Sequence, residues 1–228
     1  MKKYLKCISI LVFLVVTAFP LGIRSEICAQ EELSDHTIFD DNLLLEGYAQ
    51  RYRQLPKEVI LAMIKDDTLD PYKTAAAVRV FRENYGDEVV SREKHSVEKV
   101  LIRRLKLTDS PFTEVEIMHT LCRLDRYRYF DAMVPALIQK LGHYNSTINE
   151  MASNSLNQVV ESGEKRVREA RIVFNTLRKI LFLSRKRLAS ITVADSQLAR
   201  KLKLLRWSIK VLGSQELKKL PKEVINLL

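Results

Sequence analysis

From residue 40 to the end of the chain, apolar residues recur at three- and four-residue spacing, and no run of alternating apolar and polar residues interrupts them. That spacing leaves little room for a sheet and predicts an all-α protein. The punctuation agrees with this. Gly86, Gly142, Gly163 and Gly213 each follow a periodic run, where a residue able to take the left-handed conformation ends a helix at low cost. Asp70-Pro71 and Ser110-Pro111 place proline near a first helical position, where its missing N–H costs nothing. Thr113 with Glu116, and Thr147 with Glu150, have capping-box spacing. Reading between these marks predicts helices near 40–54, 56–67, 71–85, 89–106, 112–125, 130–141, 147–162, 165–189, 196–212 and 215–227. Joined by short connections, they should form about five antiparallel hairpins.

The first 29 residues read differently. Lys2, Lys3 and Lys6 precede an almost wholly apolar stretch, Cys7 to Ile23, which Arg24, Ser25 and Glu26 then end. A basic segment followed by an apolar one is the pattern of a secretory signal, here with cleavage expected after Ala29. The alternative is an uncleaved membrane anchor, since about 17 apolar residues is near the lower limit for spanning a bilayer. The expected organisation is therefore a signal or anchor at 1–29, a flexible segment at 30–39 and a helical domain at 40–228. The expected location is the periplasm or the cell exterior. Removing residues 1–29 leaves Cys122 as the one cysteine, so the exported domain has no internal disulfide and must be held by its apolar core. Cys122 lies on a helical pattern and reads as a buried thiol.

Charge is unevenly divided. Residues 30–164 hold 17 Lys and Arg against 23 Asp and Glu, whereas 165–228 hold 17 against 4, a net of +13. Such an asymmetry points to an anionic partner for the C-terminal part or to head-to-tail self-association.

The hairpins also resemble one another. Val97-Glu-Lys-Val-Leu-Ile-Arg-Arg-Leu105 aligns without gaps on Met133-Val-Pro-Ala-Leu-Ile-Gln-Lys-Leu141, an offset of 36 residues, and Leu55-Pro-Lys-Glu-Val-Ile60 recurs identically as Leu220 to Ile225. A period of this length marks units that cannot bury their apolar faces alone and stack to complete a core. From Ser110-Pro111 to Leu141 the chain resembles one full HEAT repeat. Pro111 opens the first helix; Val115, Met118, Leu121 and Leu124 form its inner stripe; Asp125 falls at the turn; and Phe130 to Leu141, with Pro135 in an early turn, resembles the second helix. The resemblance implies an α-α superhelix, a HEAT-like (armadillo-type) solenoid. Where the HEAT family usually has arginine after the first-helix valine, this chain has Glu116, which puts the family's ladder of Asp and Arg between repeats in doubt.

Signatures of catalysis are missing from the sequence. It contains no Gly-rich phosphate loop, no Gly-x-Ser-x-Gly, no His-Glu-x-x-His and no Cys-x-x-Cys. Glu116-Ile-Met-His119 has the spacing of a carboxylate–imidazole metal pair, but a di-iron bundle needs a second such pair and two further glutamates. The expectation is a surface or half-buried histidine. His36, His95 and His143 have no companions at ligand spacing. Asn145-Ser-Thr147 is a glycosylation sequon in a predicted loop. No metal, cofactor or small-molecule substrate is expected.

The binding candidates lie on the last two long helices. Arg168, Arg171, Arg178, Phe182 and Arg185 share a sector about 100° wide, opposite the stripe of Ala170, Val173, Phe174, Leu177, Ile180, Leu181, Ser184 and Leu188. On the following helix Trp207 is expected to face away from a core stripe of Leu198, Leu202, Leu205, Ile209 and Leu212, flanked by Arg200, Lys203 and Lys210. Basic side chains interleaved with aromatic ones suit a phosphate-rich polymer or a lipid headgroup layer, although long basic side chains also serve simply to solvate a helix face. The expected function is a non-catalytic scaffold of the cell envelope or exterior, binding an as yet unspecified protein through its solenoid surface. One alternative is binding of an anionic polymer or membrane through the basic helices; another, more remote, is a HEAT-like DNA glycosylase, for which Trp207 lacks an acidic companion. The amphipathic end at Leu220–Leu228 suits self-association.

Overall fold

A computed structural model describes residues 40–160, 166–189 and 195–228. The expected signal or anchor at 1–29, the segment at 30–39 and the glycine stop at Gly163 lie outside the described residues. Contacts divide the chain after Leu44. Of the first unit the structure describes Asp40–Leu44, where the Asp40 carboxylate accepts from the N–H groups of Asn42 and Leu43 and opens helix α1, Asp41–Tyr52.

The second unit, Leu45–Leu228, continues α1 and then runs through α2 (Lys57–Lys65), α3 (Pro71–Tyr85), α4 (Ser91–Leu107), α5 (Pro111–Leu124), α6 (Arg126–Lys140), α7 (Ser146–Val160), α8 (Val167–Leu183), the single turn α9 (Arg185–Leu188), α10 (Ser196–Leu212), a 3₁₀ segment (Ser214–Lys219) and the short α11 (Lys222–Ile225). The described residues are all-helical, without a strand, as the spacing predicts. None of these helices is long and apolar enough to cross a membrane.

Helices pack on their chain neighbours, α2 on α3, α5 on α6 and α6 on α7, and also on the next helix but one, α2 on α4, α3 on α5, α5 on α7 and α6 on α8. The middle helix α5 touches α3, α4, α6 and α7, and its sequence fits that place. Phe112, Val115, Ile117, Met118, Leu121 and Cys122 are all buried, on more than one face. A helix with a single apolar stripe could not satisfy four neighbours. The Cys122 thiol is part of the core, and burial pushes its pKa up to about 12, which favours the protonated form.

Most helix starts follow local chemistry. Asp70 caps α3, its carboxylate accepting from Tyr72 N–H at 2.9 Å and Lys73 N–H at 3.3 Å, with Pro71 next in line. Asp70→Ala should lower stability by about 1 kcal/mol, measured as a small downward shift of the urea midpoint with an unchanged slope. Asp125 and Asp195 cap α6 and α10 in the same way. For α7 the cap is Asn145, which accepts from Thr147 and Ile148 N–H, so the sequon asparagine holds a helix start.

Several expectations need correction. Thr113 and Glu116 form no capping box: the Thr113 hydroxyl donates to the Pro71 carbonyl, and Glu116 turns to arginines on α3. Gly86 closes α3 in ordinary right-handed conformation; among the described glycines only Gly213, with φ of 105°, takes positive φ. Helix α6 begins at Arg126, four residues ahead of the expected start, because the Asp125 cap acts before the apolar pattern resumes. Pro135 therefore lies inside α6, not in its early turn. The expected helix over 165–189 breaks at Ser184, whose hydroxyl donates back to the Ile180 carbonyl, and the expected helix over 215–227 is divided at Leu220-Pro221 into a 3₁₀ segment and the short α11.

The repeated hexapeptide shows how far local sequence reaches. Pro56 and Pro221 both precede a helix in extended conformation, with ψ of 155° and 147°. In the first copy Ile60 is buried and Val59 exposed; in the second Val224 is buried and Ile225 exposed. The start is common, but the face turned to the core differs by one residue, a rotation of about 100°.

Candidate functional site

Two groups of charged residues distinguish the molecule, and they differ in whether their charge is used internally. The first links successive hairpins. Glu46 on α1, Arg79 on α3 and Glu116 on α5 stand 33 and 37 residues apart, and Arg79 reaches both carboxylates: its Nη1 lies 3.4 Å from Glu46 and its Nε donates to Glu116 at 2.8 Å. Arg82, one turn further along α3, also donates to Glu116. Glu116 is 3% exposed. Burial alone would raise its pKa, but the charges of Arg82 and Arg79 and the Arg82 hydrogen bond outweigh that and hold it at about 2. His119, one turn away, is also buried; burial and then the Arg82 charge push its pKa down to about 3, so it is neutral. The expected surface or half-buried histidine is thus corrected to a buried one. Ion pairs thus run from α1 through α3 to α5, with Glu116 as the last carboxylate of the series.

Further ion pairs repeat the same reach along the chain. Arg103 pairs with Asp67, Arg123 with Asp87, Arg126 with Glu169 and Arg128 with Glu98, at separations of 36, 36, 43 and 30 residues. These pairs tie together residues that stand 30 to 43 positions apart in the chain.

The C-terminal helices are different. Of the four acidic residues after Lys165, Glu169 is taken by Arg126 and Arg166, Asp195 caps α10, and Glu216 is taken by Arg171 and Lys219. Among the described basic residues there, Arg166, Arg168, Arg171 and Lys219 form ion pairs, and no described acidic residue pairs with Arg178, Lys179, Arg185 or Lys186.

The structure sorts the residues expected to form the binding face. Arg168 pairs with Asp131 at 2.6 Å and lies over the exposed Tyr127 ring, 4.9 Å from its centroid. Both line an open cleft of about 320 Å³ between the starts of α6 and α8, with Arg126, Phe130, Arg166 and Val167 among its walls. Arg171 is held by Glu216 at 2.6 Å. Arg200 donates to the buried Asn149 side chain on α7, so it is a packing residue. Trp207 is partly buried and packs against the core, which corrects its expected outward orientation. Lys203 and Lys210 are exposed. Arg178 has no hydrogen-bond or ion-pair partner among the described residues. Phe182 is 50% exposed, with the Arg185 guanidinium 4.2 Å above its ring centroid.

The structure therefore does not gather the nine residues into one open surface. It ties Arg171 to Glu216 and Arg200 to Asn149, leaves Arg168 in a cleft, and brings Phe182 and Arg185 together at the C-terminal end of α8. Sequence reasoning missed Leu183, which is 82% exposed beside Phe182, and the neighbouring Lys179 and Lys186. Their signal was available: Arg178-Lys179 and Arg185-Lys186-Arg187 bracket an uncharged run, Ile180 to Ser184. No protein-family profile matches the chain, and no curated protein or solved structure shows significant similarity to it.

Proposed function

We propose that the chain is an exported, non-catalytic binding scaffold: a HEAT-like solenoid whose hairpins are stacked by internal ion pairs and whose C-terminal helices present charge to an acidic protein partner. The solenoid reading is supported by the packing of α2 on α4, α3 on α5, α5 on α7 and α6 on α8 and by ion pairs spaced 30 to 45 residues apart, as expected when each unit leans on its neighbours. Export rests on the pattern of residues 1–29. The observation that carries the binding reading is the charge left over: 17 basic residues against 4 acidic ones from Lys165 onward, with three of those four acids already engaged.

An unneutralised basic surface at the end of a stack recruits partners by long-range attraction that salt screens. Cross-linking in an envelope fraction with the wild type and with a variant carrying Arg178→Glu and Lys210→Glu tests this reading. Recovery of an acidic protein by the wild type, lost in the variant and at high salt, is expected. Recovery of the same proteins by both chains, or of none reproducibly, would contradict it.

A further inference from the structure

We infer that the C-terminal end of α8, together with α9, is a docking corner for an anionic phospholipid surface. The reasoning begins with two side chains that sit where water-facing residues should be. Phe182 and Leu183 are adjacent, 50% and 82% exposed, at the tip of a helix whose opposite face is fully buried through Val173, Phe174, Leu177 and Leu181. The core does not need them, since α8 already buries a full stripe.

What surrounds them decides the occupant. From Ala170 to Ala194 the chain holds six basic residues and no acidic one. Arg178 and Lys179 precede Phe182 by one turn on α8, and Arg185 and Lys186 follow it at the start of α9. The Arg185 guanidinium lies over the Phe182 ring at 4.2 Å and also donates to the Phe182 carbonyl at 3.1 Å, which fixes ring and cation together. The next acidic residue in the chain, Asp195, lines a small cavity with Arg187 on the side of Leu181 and Leu188, away from the exposed pair. A soluble polyanion would use the cations and gain nothing from Leu183. A headgroup layer uses both, because the cations meet phosphates while the two apolar side chains enter the acyl boundary just below.

This corner rests on the reading that the C-terminal cations serve binding, but it needs no protein partner. The inference is tested by sedimenting the full chain with vesicles of phosphatidylcholine alone and of phosphatidylcholine containing about one-third phosphatidylglycerol. Residues Cys7–Ile23 can enter either membrane, so the readout is the difference between the two. The wild type should prefer the anionic vesicles, and the preference should fall with salt. The double variant Phe182→Ser, Leu183→Ser should weaken anionic-vesicle binding by about tenfold or more, with its thermal midpoint unchanged because both side chains are exposed.

Equal binding to the two vesicle types, or a Ser double variant that binds as the wild type does, would overturn the inference. A third arm uses heparin. If heparin binds both chains equally while neither favours anionic vesicles, the corner is not a membrane site, although the basic surface remains one for anions. Binding to neither heparin nor anionic vesicles removes the basic-surface reading as well.

Discussion

Replacing Glu116 with alanine is expected to cost about 3–5 kcal/mol, enough to leave the protein close to unfolded if its total stability lies in the ordinary range of about 5–15 kcal/mol. The carboxylate is buried between Arg79 and Arg82, both of which are themselves only about a tenth exposed. Its removal strands two guanidinium charges in the contact between α3 and α5, and no other carboxylate is placed to take both. Arg82 would lose its one ion-pair partner among the described residues, and Arg79 would keep only the longer contact to Glu46. The control is Arg123→Ala, which removes a bidentate pair with Asp87 at almost the same sequence separation but with side chains 47% and 76% exposed. That loss should be within about 1 kcal/mol. Urea midpoints of the two variants separate a contribution made by burial from one made by the mere presence of an ion pair.

The second large effect is acid sensitivity. His119 is held neutral with its pKa near 3, below its ordinary value, so between those values the unfolded chain binds a proton that the folded chain refuses. Stability therefore falls as pH drops from about 6.5 toward 3, at up to about 1.4 kcal/mol per pH unit. Glu116, held near 2, acts in the same direction over a lower window: its contribution is intact above its unfolded value and is lost as pH falls from about 4.5 toward 2. The wild type should thus begin to lose stability below about pH 6.5 and lose it more steeply below about pH 4.5. His119→Leu should flatten the upper window and leave the lower one. Urea unfolding at a series of pH values checks both; a wild type with constant stability from pH 6.5 to 4.5 would contradict the assignment of His119 as a buried neutral group.

The helices were legible because their causes are local. Proline after a capping residue at Asp70-Pro71, the apolar period of α5 and the core stripe of α8 each depend on a few consecutive residues. Where a local cue was weaker than the pattern beside it, the boundary moved. Asp125 began α6 ahead of its apolar residues, Ser184 broke α8 and Pro221 cut short the last helix. The ion-pair series was not legible, because its partners are remote. Nothing near Glu116 in the sequence indicates that Arg79 and Arg82, 37 and 34 residues earlier, will surround it. Without them the Glu116-Ile-Met-His119 run reads as carrying a surface or half-buried histidine. The same remoteness explains the basic surface. Helical spacing puts Arg168, Arg171 and Arg178 in one sector of α8, but what each guanidinium meets depends on residues of other elements, Asp131 for Arg168 and Glu216 for Arg171.

This protein's charges divide into those paired within the fold and those proposed to serve binding, and one variant measures that division. Arg178→Gln, Lys179→Gln and Lys186→Gln together remove charge from the α8–α9 corner without touching any of the inter-hairpin pairs. Binding to anionic vesicles, followed alongside the thermal midpoint, should weaken by about tenfold or more while the midpoint stays in place. A midpoint that falls with binding intact would show that these cations stabilise the fold, and would contradict the account.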